Sequence, residues 1–77
     1  MNNTKYTLNL LPISETKKIK KLNCTGALRR RLLDLGFVEN SKITTILNSP
    51  SKGLRAYDIR GTLIALRDED SSLIELY

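Results

Sequence analysis

Histidine and tryptophan are absent from the 77 residues, and cysteine occurs once, at Cys24. Without histidine the chain lacks both the commonest metal ligand and the usual general base near neutral pH. The serines at 14, 41, 49, 51, 71 and 72 therefore have no partner with which to build a Ser-His-Asp triad. A lone cysteine allows no internal disulfide, which fits a reducing compartment. With nothing to lower its pKa, Cys24 reads as a small structural residue rather than a nucleophile. The glycines at 26, 36, 53 and 61 are never closer than eight apart, so no glycine-rich phosphate loop is encoded. Four scattered aromatics, Tyr6, Phe37, Tyr57 and Tyr77, offer no stacking platform for nucleic acid. No apolar run approaches the ~18 residues of a membrane span, and no signal-peptide pattern is seen. These gaps point to a soluble, non-enzymatic cytoplasmic chain without a cofactor, and they give no reason to expect a nucleic-acid partner.

What is present is charge, unevenly spread. Residues 1–33 hold eight Lys/Arg against Glu15 alone, whereas residues 34–77 hold five against seven acids. Such asymmetry suggests a basic face that meets nucleic acid, anionic headgroups or an acidic protein surface. At this length, with 40% hydrophobic residues, residues 1–77 make one domain near the lower size limit for a single core. Residues 1–6 are polar and read as frayed.

The segment from Gly26 to Phe37 carries the only clear helical period. Leu28, Leu32 and Leu35 fall at i, i+4 and i+7, which predicts a helix over about 25–35 with one buried face. The Thr25 hydroxyl is placed to cap its start, and Gly36 to end it in a left-handed conformation. Its charges oppose the helix dipole: Arg29, Arg30 and Arg31 lie toward the positive end and Asp34 toward the negative end, each costing up to about 1 kcal/mol. Local helix stability does not account for three adjacent arginines. On a 100° wheel Arg29, Arg30 and Leu33 stand clear of the leucine stripe, so they are the leading candidates to bind a partner. Leu32 is a candidate should the wheel phase drift.

Around the helix the chain is strand-like. Thr7 to Pro12, with Leu8, Leu10 and Leu11, reads as a short helical turn plugging the core. Lys17 to Asn23 is a first strand, bulged to reconcile Ile19 with Leu22, and its lysines suit a sheet edge. Asn40 is the natural left-handed residue of the following turn. Lys42–Asn48 and Ala56–Arg60 are strands, separated by a flexible Ser49–Gly53 loop; Leu54, in the mobile Pro50–Leu54 stretch, is a weaker partner-binding candidate. Gly61 marks a tight turn into Thr62–Arg67, whose near-continuous apolar run suggests burial. Asp68-Glu69-Asp70 is a solvated turn with Asp68 as its cap, followed by a last strand over 73–76. The three acids are the only candidates for a hard cation, and they lack the spacing of a calcium loop. Five short strands with one inserted helix predict a small barrel, mainly β, with most backbone groups paired internally.

Four stretches then carry a family likeness: Leu28-Arg29-Arg30-Arg31-Leu32-Leu33-Asp34-Leu35-Gly36-Phe37, the Ser49-Pro50 loop, Tyr57-Asp58-Ile59-Arg60-Gly61 and Ile64-Ala65-Leu66-Arg67-Asp68-Glu69-Asp70. In this order and spacing they resemble the bacterial ferrous iron transport protein A (FeoA) family, from Thr7 to Leu76. Glu39-Asn40 stands in place of that family's usual Pro-Gly. The resemblance implies an SH3-like β-barrel with packed helices. It also implies a cytoplasmic accessory of the membrane ferrous iron permease, whose soluble part is a GTP-binding domain. Such a protein would be peripheral to the membrane through that partner only. Likeness to the SH3-like module of iron-dependent repressors leaves a metal-responsive regulatory module as one alternative, and the basic half of the chain leaves a nucleic-acid-binding barrel as another.

Overall fold

Backbone hydrogen bonding gathers six short antiparallel strands into one sheet, in a computed structural model that describes residues 6–77. The strands are β1 (Tyr6–Thr7), β2 (Thr16–Leu22), β3 (Lys42–Ser49), β4 (Leu54–Ile59), β5 (Thr62–Arg67) and β6 (Ile74–Leu76). Helix α1 (Gly26–Asp34) lies between β2 and β3, and a single helical turn, α2 (Asp68–Ser71), joins β5 to β6. Leu8–Leu10 forms a 3-10 turn that sends Leu8 and Leu11 into the core, as the plug expected there. The strand order is β1-β6-β2-β3-β4-β5. Because β1 and β5 are its two edges and do not pair, the sheet is open, and the architecture is SH3-like without closing into a barrel.

Four local expectations need correction. The start was read as frayed through residue 6, but Tyr6 pairs with Leu76 in β1, while residues 1–5 lie outside the described residues. β2 is not an edge strand: it is hydrogen-bonded to β6 on one side and β3 on the other. Its register does shift between Ile19 and Lys21, the bulge that brings Ile19 and Leu22 both inward. β5 is not buried on both faces; Ile64 and Leu66 point into the core while Leu63 is 68% exposed. An apolar run on an edge strand therefore leaves half its side chains uncovered. Leu54 sits not in a mobile loop but at the head of β4, opposite Ser49 and Arg67.

Helix α1 is held by its leucine stripe. Leu32 is fully buried, with Leu28 and Leu35 packed at the margin of the core. Its C-terminal end closes by two bonds, Phe37 N–H to the Leu32 carbonyl at 3.0 Å and Gly36 N–H to the Leu33 carbonyl at 3.1 Å. That is the Schellman arrangement, in which the residue at Gly36 turns left-handed and Phe37 packs beside Leu32. Gly36 has φ +102° and both apolar partners are fully buried. The helix start differs from expectation: Thr25 is extended, but its hydroxyl makes no capping bond. The hairpin between β4 and β5 turns on Arg60 and Gly61, both at positive φ, as a two-residue loop requires. Asn40 takes positive φ in the turn before β3.

Inside the core one polar pair is buried. The Tyr57 hydroxyl donates to Ser71 Oγ at 2.9 Å, linking β4 to α2, and both residues are fully buried. Burial raises the Tyr57 pKa above its ordinary 10.0, outweighing the opposing effect of the Ser71 bond.

Candidate docking surface

The solvent side of α1 presents Arg29, Arg30, Arg31, Leu33 and Asp34. Leu33 is 40% exposed, and the arginines hold no ion pair among the described residues; Arg30 and Asp34, four apart, do not meet. Arg29 is nonetheless anchored: its guanidinium donates to the Leu22 carbonyl at 3.2 Å, tying the helix to the end of β2. Between α1 and β2 lies a cleft of about 280 Å³. Buried Leu22 and Phe37 form its floor; Arg29, Leu33, Lys21 and Val38 form its rim. A wider concavity along the helix is lined by α1 residues alone and so has no opposing wall.

Sequence reasoning therefore placed Arg29, Arg30 and Leu33 together, and the fold keeps them on one exposed surface. Leu32 must leave that set. It is fully buried beside Phe37, because the observed helical phase gives the exposed position to Leu33. Leu54 does not join it either; it lines a separate cleft with Lys52, Arg67 and Asp68.

The acidic run was the only candidate for a metal. Asp68 caps nothing through its side chain; its carboxylate instead accepts from Arg55 Nε at 2.7 Å. Among the described residues no three His, Cys, Asp or Glu side chains converge, so Asp68, Glu69 and Asp70 do not form a cation site together.

Two features were missed. Val38 is 40% exposed directly after a buried phenylalanine, because the chain reverses there. A residue following a Schellman turn is a legible candidate for exposure, so this one could have been found. The other is strand register, which no single-strand pattern reveals. It sets Lys18 opposite Lys42 and aligns Leu47, Ala56 and Ala65 across β3, β4 and β5 on the outer face.

An open antiparallel sheet with one inserted helix defines a small SH3-like domain. A protein-family model, the FeoA domain, matches residues 6–77, and the chain belongs to the FeoA family, a small accessory domain associated with ferrous iron uptake. FeoA protein from Chlorobium tepidum superposes with a TM-score of 0.86 at 24% identity, over 92% of this chain and 68% of that one. FeoA from Stenotrophomonas maltophilia, a prokaryotic SH3 domain protein solved with zinc, gives 0.82 at 24% identity, over 92% and 88%. A manganese-dependent transcriptional repressor, solved with manganese, gives 0.84 at 12% identity over 99% of this chain and 37% of the repressor, a likeness of fold alone. A search of curated protein sequences returns no match. No helix among the described residues is long and apolar enough to cross a membrane.

Proposed function

We propose that this chain is a cytoplasmic, non-enzymatic docking module that binds the soluble GTP-binding part of the membrane ferrous iron permease and so modulates iron uptake. The observation that supports it most is the outer surface of α1. Arg29, Arg30 and Arg31 hold no ion pair among the described residues, and only Arg31 lies in the last turn, where the helix dipole favours a cation. All three share the exposed side of the helix with a leucine that is 40% exposed. An apolar anchor with a charged rim is the usual composition of a protein-binding hot spot. Leu33 supplies the anchor, Arg30 the free charge, and Arg29 the wall of the adjoining cleft. Family membership supplies the pathway, ferrous iron uptake.

The direct test is co-purification of the chain with the detergent-solubilised permease, with and without guanine nucleotide. Recovery of the complex in at least one nucleotide state is expected. Failure in both would remove the permease as the partner.

A further inference from the structure

The cations of β2 and β3 gather on a face that adjoins the helix surface, with Lys21 on the rim of the cleft that Arg29 and Leu33 also line. Lys18 and Lys42 stand directly opposite each other on antiparallel strands, and both are exposed. Like charges in that register repel, and neither lysine holds an ion pair among the described residues. Lys20 lies 5.9 Å from the ring centre of Tyr77, whose hydroxyl bonds the Glu39 carboxylate. Lys21 borders one cleft, and Lys42 with Arg60 a neighbouring one; Val38 and Glu39 border both. Lys21, Lys42 and Arg60 thus share clefts with an exposed valine, Lys18 stands opposite Lys42, and Lys20 lies over Tyr77. The single acid bordering either cleft, Glu39, is already engaged by Tyr77.

Fold stability gives no reason for the Lys18–Lys42 pair, so that pair points outward, to a polyanion. The residue types distinguish among polyanions. Four of the five cations are lysines, which are depleted in protein–protein interfaces. Lysine is a compact charge on a flexible stem, suited to a diffuse anionic surface rather than to a bidentate partner. Clusters of four to eight such residues are what anionic headgroups attract. No aromatic pair is present to stack bases. We propose that the face bearing Lys18, Lys20, Lys21, Lys42 and Arg60 rests on anionic phospholipid, with Val38 touching the headgroup region. The chain would then reach the membrane by its own contact rather than through a protein partner alone. This inference stands apart from docking through α1, because it needs no protein in the bilayer.

The test is co-sedimentation with phosphatidylcholine vesicles containing or lacking about one-third phosphatidylglycerol, at low and at high salt. Binding is expected only to the anionic vesicles at low salt. The exposed double variant Lys18→Glu/Lys42→Glu is expected to bind them at least about tenfold more weakly. The milder Lys18→Gln/Lys42→Gln should fall between that variant and wild type. Equal binding to neutral vesicles, no binding to anionic ones, or an unaffected charge-reversed variant would overturn the proposal. So would tighter binding to a DNA duplex than to the vesicles at the same salt. Since no permease is present, failure here leaves the α1 docking surface untouched, and the reverse also holds.

Discussion

Leu32 and Leu33 are chemically identical neighbours, and the fold gives them opposite fates. Leu32 is fully buried against Phe37, whereas Leu33 is 40% exposed. Leu32→Ala should therefore destabilise the chain by about 2–5 kcal/mol through lost burial and a residual cavity. Leu33→Ala should cost no more than about 1 kcal/mol. Urea unfolding of the two variants measures both. Tyr57 offers a second residue-scale check. Its phenol is held protonated by burial, so between pH 10 and its raised folded value the unfolded chain sheds a proton that the folded chain keeps. The stability this contributes is complete below pH 10 and is lost as pH rises through that window. Tyr57→Phe should flatten the fall in melting temperature above pH 10. It should also cost about 1–3 kcal/mol at neutral pH by leaving the buried Ser71 hydroxyl unpaired, and Tyr57→Phe/Ser71→Ala should recover part of that loss.

At the scale of elements, α1 is stabilised by its C-terminal closure and its buried stripe, with no side-chain cap at its start. Gly36 carries much of the C-terminal end. Its φ of +102° is one that side chains rarely adopt, and a Cβ there would come within 2.8 Å of Arg60 Cδ. Gly36→Ala is accordingly expected to lower stability by about 1–2 kcal/mol, read by chemical denaturation. The helix was legible in the sequence because its period, its terminal glycine and its following phenylalanine all agree. The strands were legible as strands, with β5 placed to the residue, but not as neighbours. Lysine-rich β2 looked like an edge, yet its inward Ile19 and Leu22 are what a central strand needs, and its lysines simply face out. Apolar β5 reads as buried, yet lies at the edge. Composition reports what a strand's faces tolerate; the partners on either side come from the connections. The candidate site divides the same way. Arg29, Arg30 and Leu33 came from helical phase alone, whereas the Lys18–Lys42 juxtaposition depends on register between strands 24 residues apart in the chain.

For the whole molecule, the charge asymmetry of the sequence becomes an asymmetry of surface. The amino-terminal half supplies the arginines of α1 and the lysines of β2. Four of the acids fall in the late part of the chain, at Asp68, Glu69, Asp70 and Glu75. The interior is mainly hydrophobic, with Thr45, Ser71 and Glu75 its buried polar residues. The central claim is that the α1 surface is what the ferrous iron permease recognises. The most direct measurement is a titration of the chain against the permease's soluble GTP-binding domain, repeated with Leu33→Ala and with Arg30→Glu. Each variant is expected to keep its fold and to lose about 1–2 kcal/mol of binding free energy, roughly five- to thirtyfold in affinity. Wild-type affinity in both folded variants would contradict the claim.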